Sequence, residues 1–202
     1  MALHRRLSAS ICGRPPRWQG RGIERRLTSL SILKRLFGDR DERSGLTPLY
    51  RAIVERARDP RWYREGMVPD TLDGRFDMVA ALLTLVLLRL EAEGERGRGP
   101  SALLTELFVD DMDGQLRQMG IGDIVVGKHI GKMMSALGGR LTAYREGLAV
   151  GGDLEGALER NLYRGEPTDK AAVAIAAQGL RTFHAALAAT SFEAVREGSL
   201  PS

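Results

Sequence analysis

Apolar side chains recur every three or four residues along most of the chain from residue 47 onward, which is the spacing of one face of an α-helix. Capping residues, glycines and prolines divide this pattern into separate segments. The predicted helices cover residues 47–58, 70–93, 102–119, 123–149, 153–164 and 169–189, followed by a last turn after Ser191. The expected boundaries include Thr47 as a cap before Pro48, and a flexible loop at residues 94–99.

No segment of useful length alternates apolar and polar residues, so a β-sheet is not expected. The longest apolar run covers residues 78–88, and its eleven residues fall well short of the ~20 that cross a membrane. A run of this length is typical of a buried core helix. The predicted fold is therefore all-α, a single compact bundle of six to seven helices with a disordered basic N-terminal extension.

Charge divides the chain near residue 44. Residues 1–44 carry 11 Lys and Arg against 4 Asp and Glu, whereas residues 45–202 carry 19 against 22. We therefore expect a basic N-terminal extension at 1–44 and a helical domain at 45–198. Within the extension, residues 1–23 hold five arginines and no acid. This composition is typical of an organellar transit peptide, and it also fits a disordered basic tail or a start codon placed too early in the gene.

The stretch GDIVVGKH, at residues 122–129, matches seven of the eight positions of the phosphate-binding loop G-x-x-x-x-G-K-[ST]. Its context does not fit, because that loop follows a strand and the residues upstream are predicted to be helical. Its interior is Asp-Ile-Val-Val rather than small and glycine-rich, and His129 cannot supply the hydroxyl that binds magnesium. The stretch therefore gives no reason to expect nucleotide hydrolysis.

The residues that usually carry catalysis or bind metals are sparse and poorly spaced. The three histidines, His4, His129 and His184, do not stand at zinc-ligand spacing, and the only cysteine is Cys12. No motif for nucleophilic or acid–base catalysis is present in the sequence. We expect no enzymatic activity, no metal and no cofactor.

Specific nucleic-acid binding is also not expected. Four cations, Lys128, Lys132, Arg140 and Arg145, lie off the apolar stripe of the helix predicted at residues 123–149 and could contact phosphates. However, the predicted helical domain is net acidic, and eleven aromatic residues in the whole chain are few for a module that stacks bases. A solvated helix face is the simpler interpretation.

Three stretches of the sequence are informative when they are considered together. The first is VPDTLDGRF at residues 68–76, and the second is DDMDGQLRQMGIGDIVVGK at residues 110–128, continued by Lys132 and Met133. The third comprises Gly138, Gly139, Arg140, Tyr144, Leu158, Asn161 and Tyr163. In this order and spacing they resemble the ubiquinol–cytochrome c chaperone family from Gly45 onward. The resemblance places GDIVVGKH within a family signature.

This resemblance implies a non-catalytic assembly chaperone that binds newly made cytochrome b during biogenesis of the respiratory cytochrome bc1 complex. It also implies contacts with a small partner subunit and the ribosome exit, and peripheral association with the inner membrane. The expected location is the bacterial cytoplasm, or the matrix side of the mitochondrial inner membrane if residues 1–30 are a transit peptide. The alternative is a ribosome- or RNA-associated factor for translation of a membrane protein.

The polar residues of the signature are the candidates for client or partner binding. They surround a predicted helix junction with several glycines, where backbones can approach closely. The candidates are Asp110, Asp111, Asp113, Arg117, Asp123, Lys128, Lys132, Arg140 and Tyr144. Their charged members form either a mixed-charge rim that faces the client or an internal ion-pair network that fixes the helix junction.

Overall fold

The computed structural model describes residues 29–118, 120 and 123–201, and the side chains among them except those of residues 29–42 and 123–125. The predictions for residues 1–28 lie outside this part of the chain. The described helices are α1 (Ser29–Ala57), α2 (Pro60–Arg64), α3 (Leu72–Glu91), α4 (Glu95–Gln118), α5 (Asp123–Leu148), α6 (Leu154–Asn161), α7 (Lys170–Ala189) and α8 (Phe192–Arg196). The described residues form no strand, and six of the helices have eight residues or more. The all-α prediction is confirmed.

The central helix of the bundle is α3, which packs against α1, α4, α5 and α7. Residues 78–87 of this helix are all buried. The hydroxyl of Thr84, the one polar side chain among them, donates to the carbonyl oxygen of Ala80 at 2.7 Å. A helix that is apolar on all faces is stable only inside such a bundle. Within the described ranges, no helix is both long and apolar enough to cross a lipid bilayer.

Short polar side chains cap several helices close to the predicted positions. Thr71, Asp153 and Ser191 each accept a hydrogen bond from a backbone N–H in the first turn of α3, α6 and α8, at 3.1, 2.8 and 3.2 Å. The cap of α7 is Asp169 rather than the predicted Thr168. These caps fix where α3, α6, α7 and α8 begin.

The predicted start of the first helix is wrong. α1 continues through Pro48, which the sequence places in its first turn. The apolar residues Leu46, Leu49 and Ile53 lie along one face of α1 and are at most 1% exposed. Burial of this continuous face outweighs the cost of about 3 kcal/mol for proline inside a helix. The predicted domain boundary after residue 44 therefore falls within α1.

Residues 95–99 are helical, so the flexible loop predicted there is also wrong. They form the start of α4, where Gly97 lies so close to the end of α3 that a Cβ atom would overlap the carbonyl oxygen of Leu90. Only glycine allows this approach. Packing against α3 thus holds a glycine-rich segment in a helical conformation that its intrinsic propensity disfavours.

Candidate functional site

A cleft of about 470 Å³ lies where α3, α4, α5 and α6 meet. Its apolar lining comprises Leu72, Phe76, Ala80, Phe108, Leu116, Met133 and Ala136. Its polar lining comprises Asp73, Asp77, His129, Lys132, Arg140, Arg160, Asn161 and Arg164. The cleft is the candidate functional site because it joins an apolar surface to a group of charges on several elements.

A buried ion pair between Arg140 and Asp77 lies in the cleft lining. Arg140 is only 8% exposed, so the prediction that it lies off the buried face of its helix is wrong. Its guanidinium also donates to the carbonyl oxygen of Asn161 at 2.8 Å. A single side chain on α5 is therefore bonded to α3 and to the end of α6, which accounts for the burial of its charge.

The second carboxylate oxygen of Asp77 accepts a hydrogen bond from Nε of Arg164 at 2.5 Å. Arg164 follows α6 with a φ of 56°, a left-handed conformation that is uncommon for residues other than glycine. It also forms an ion pair with Asp73 at 2.7 Å. The hydrogen bond to Asp77 is the main reason that the pKa of Arg164 is raised. These two carboxylates favour the strained conformation and hold the end of α6 against α3.

Two cations line the cleft without such partners. Lys132 on α5 and Arg160 on α6 are both exposed, and no described carboxylate lies within ion-pair distance of either. The two carboxylates of the cleft are already bonded to arginines. The cleft therefore keeps positive charge at exposed positions beside an apolar surface.

Two tyrosines lie in the core near the ion-pair network. The hydroxyl of Tyr163 donates to the buried carbonyl oxygen of Gly66 at 2.5 Å, and burial raises its pKa to about 12. Tyr144 is fully buried, and its hydroxyl has no hydrogen-bond partner in the described part of the chain. Burial raises the pKa of Tyr144 as well. A direct contact between Tyr144 and a client would need α5 to move.

Two of the acidic candidates face α1 rather than the cleft. Asp110 forms an ion pair with Arg43, and Asp111 accepts a hydrogen bond from the hydroxyl of Tyr50 at 2.6 Å. Burial and this hydrogen bond raise the pKa of Tyr50. Both contacts fasten α1 to α4.

The other candidates lie along α4 and at the start of α5. Asp113 and Arg117 form an ion pair within α4 at 2.6 Å. Lys128 is exposed on α5 and is not part of the cleft lining. Asp123 is the first residue of α5, and its side chain lies outside the described part of the structure. Binding of a client by any of the nine candidates stays a prediction, and two of them, Lys132 and Arg140, line the cleft.

Three charged residues of the cleft are not among the candidates predicted from the sequence, namely Asp77, Arg160 and Arg164. Asp77 does carry a signal, since it directly precedes the longest apolar run and a carboxylate buried there needs a partner. The two arginines carry no such signal in the sequence, because arginine near the end of a helix is also an ordinary surface residue. Only the fold brings them to the cleft.

The side chains of the cleft can bind a ligand through both apolar and polar contacts. In the ranges that the structure describes, no three His, Cys, Asp or Glu side chains are grouped as a metal site requires. Hydrogen-bond donors on Lys132 and Arg160 are available at the rim, next to apolar side chains. The arrangement suits a surface that presents both apolar and polar groups.

Comparison with known proteins places this geometry in a family context. Residues 64–201 match the family model described as ubiquinol-cytochrome C chaperone. The fold is similar to the crystal structure of the Cbp3 homolog from Brucella abortus, with a TM-score of 0.68 and 28% sequence identity. That similarity covers 85% of this chain and 94% of the Brucella chain. No curated protein sequence matches the chain significantly.

Proposed function

Because the chain belongs to the ubiquinol-cytochrome C chaperone family, we propose that it binds newly made cytochrome b and holds it during assembly of the cytochrome bc1 complex. Family membership supports the chaperone role in assembly of this complex. The client and the surface that binds it are our proposal. We assign the binding surface to the cleft between α3, α4, α5 and α6.

The observation that supports this assignment is the combination of apolar and cationic lining in one cleft. A membrane-protein client presents apolar segments next to charged loops, and a surface that holds it needs both kinds of contact. The network around Asp77 bonds three elements of the cleft to one another. A cleft fixed in this way loses little conformational entropy when a client binds.

The test is an affinity purification of the tagged chain from detergent-solubilised membranes, read by mass spectrometry and by the visible haem spectrum. We expect cytochrome b to be enriched without the full set of bc1 subunits. The Ala136→Glu variant places a charged side chain in the cleft lining without removing a core contact, and it should lower cytochrome b at least about fivefold. Ser135→Glu adds the same charge at the neighbouring exposed position outside the cleft lining, and it should leave the yield unchanged.

The same purification addresses the remaining partner proposals. We propose a small partner subunit, contact with the ribosome exit and peripheral association with the inner membrane. A small protein that co-purifies with cytochrome b would support the first. Ribosomal proteins without cytochrome b would contradict the client proposal and favour a translation factor that acts through the basic residues 1–44. Equal loss of cytochrome b in the two α5 variants would contradict the assignment of the cleft.

A further inference from the structure

We infer that the cleft selects an acidic amphipathic segment of its client, in which one or two carboxylates lie next to apolar side chains. This inference rests on the proposed function and adds to it the chemistry of the bound segment. Lys132 and Arg160 would receive the carboxylates, and the apolar lining would receive the neighbouring side chains.

The charges of the cleft lining favour an anionic ligand. Four Lys and Arg side chains and two carboxylates line it. Asp77 is bonded to two arginines, and Asp73 to one of the same two, so neither carboxylate is left for a third cation. The remaining cations, Lys132 and Arg160, are exposed and have no carboxylate partner among the described residues. An acidic segment would supply the negative charge that these two cations lack within the fold.

The apolar lining favours a peptide over a free anion. Phe76 and Met133 are partly buried on the cleft, and Leu72 at its edge is 43% exposed. A small anion would leave this surface in water, whereas an amphipathic helix or loop covers it while its acids reach the rim. The volume of about 470 Å³ suits a few side chains and is small for the paired acyl chains of a phospholipid.

The chain's own N-terminal extension is a poor occupant of the cleft. Residues 1–44 carry seven more basic than acidic residues, so they would bring like charge to Lys132 and Arg160. The helical domain of a second copy carries 19 basic against 22 acidic residues, so its small net charge offers little complement to Lys132 and Arg160. A client segment is the occupant whose charge and polarity complement the cleft.

The expected size of the effect follows from the exposure of the two cations. An exposed ion pair changes affinity by roughly 1.5- to fivefold. Loss of both cations should therefore lower the affinity for an acidic peptide by roughly 2- to 30-fold. The binding should also weaken as salt rises, since pairs at the surface are screened. An apolar contribution should remain at high salt.

The test uses overlapping 15-residue peptides that cover the loops and helix ends of cytochrome b, probed with the full chain. We expect the bound peptides to carry net negative charge and at least one aromatic or long aliphatic residue. The Lys132→Gln/Arg160→Gln variant should weaken their binding roughly 2- to 30-fold, and Lys132→Glu/Arg160→Glu should shift the preference to basic peptides. Arg98→Gln is the matched control, because Arg98 is 77% exposed and pairs with Glu95 on its own helix. Circular dichroism checks that each variant is folded.

Several results would overturn the inference. These are bound peptides that lack acids, the absence of any bound peptide, and equal binding by the wild type and the Lys132/Arg160 variants. Vesicles of phosphatidylglycerol serve as the competing probe. If the variants lose vesicle binding while peptide binding is unchanged, the cleft binds lipid instead. If cytochrome b co-purifies with the wild-type chain but the chain shows no preference for acidic peptides, only this inference is overturned. If cytochrome b does not co-purify with the wild-type chain, the proposed function is overturned.

Discussion

The buried ion network predicts an unequal response when its two principal members are removed. Asp77 receives hydrogen bonds from both Arg140 and Arg164, whereas Asp77 is the only described carboxylate bonded to Arg140. Asp77→Leu therefore strands a guanidinium that is 8% exposed, and a stranded buried charge costs about 3–5 kcal/mol. Arg140→Met leaves the carboxylate paired with Arg164, so it should cost only about 1–3 kcal/mol.

The double variant sharpens this prediction. Arg164 is 51% exposed and can turn to water when Asp77 is lost, while Arg140 cannot. Asp77→Leu/Arg140→Met removes the stranded charge and replaces the pair by apolar side chains, which is often neutral or stabilising. We therefore expect the double variant to be more stable than Asp77→Leu alone.

Urea unfolding followed by circular dichroism at 222 nm measures all three variants and the wild type. Asp70→Leu is a suitable control, because the Asp70–Arg75 ion pair lies at the surface and its loss should barely move the midpoint. The reasoning is refuted if Arg140→Met costs as much as Asp77→Leu. It is equally refuted if the double variant loses the sum of the two single effects.

Three further predictions concern other parts of the core. Gly97→Ala should destabilise the protein by about 1–3 kcal/mol because its Cβ has no room, whereas Gly114→Ala, in open space on the same helix, should stabilise it by about 0.5–1 kcal/mol; opposite shifts in the urea midpoint test this. Tyr163→Phe should cost about 1–3 kcal/mol by leaving a buried carbonyl unpaired, while Tyr144→Phe should be neutral or stabilising, as measured by calorimetry. Burial lowers the pKa of His184, so the folded state prefers its neutral form. The stability that this contributes is complete above pH ~6.5, the unfolded value, and is lost as pH falls from there through the lower folded pKa; His184→Gln should make this loss smaller.

The elements that local sequence predicts well are those whose signal needs no distant partner. The run at residues 78–88 is apolar on every face, so it must lie inside a bundle, and α3 does. Thr71, Asp153 and Ser191 bond to backbone groups in the next turn, so their role as caps is also readable from local spacing.

Tertiary packing decides the elements that local sequence predicts wrongly. The glycines of residues 94–99 indicate a loop, yet the contact between Gly97 and Leu90 makes glycine the residue that α4 requires. Likewise Pro48 indicates a helix start, but the buried face of α1 continues on both sides of it. In each case a residue that weakens an isolated helix is accepted because of what it packs against.

The candidate site was only partly predictable, for a related reason. Lys132 and Arg140 lie on the same helix and are both positively charged. Nothing in the sequence around them indicates that Lys132 is exposed and Arg140 is buried. The partners of Arg140 are 63 and 21 residues away along the chain. Whether a charge belongs to the fold or to a binding surface depends on these distant partners.

This distinction between paired and unpaired charge makes the last prediction specific. Arg140→Met and Lys132→Gln each remove one positive charge from the same cleft. If total charge governed the client's affinity, both would weaken binding of an acidic peptide equally. Arg140 is already neutralised by Asp77, so its loss should lower the stability of the chain and leave the affinity nearly unchanged at a temperature where the variant is folded. Lys132→Gln should do the reverse, since no described carboxylate pairs with it. Equal losses of affinity, measured by fluorescence anisotropy with one labelled acidic peptide, would show that the unpaired cations do not select the client.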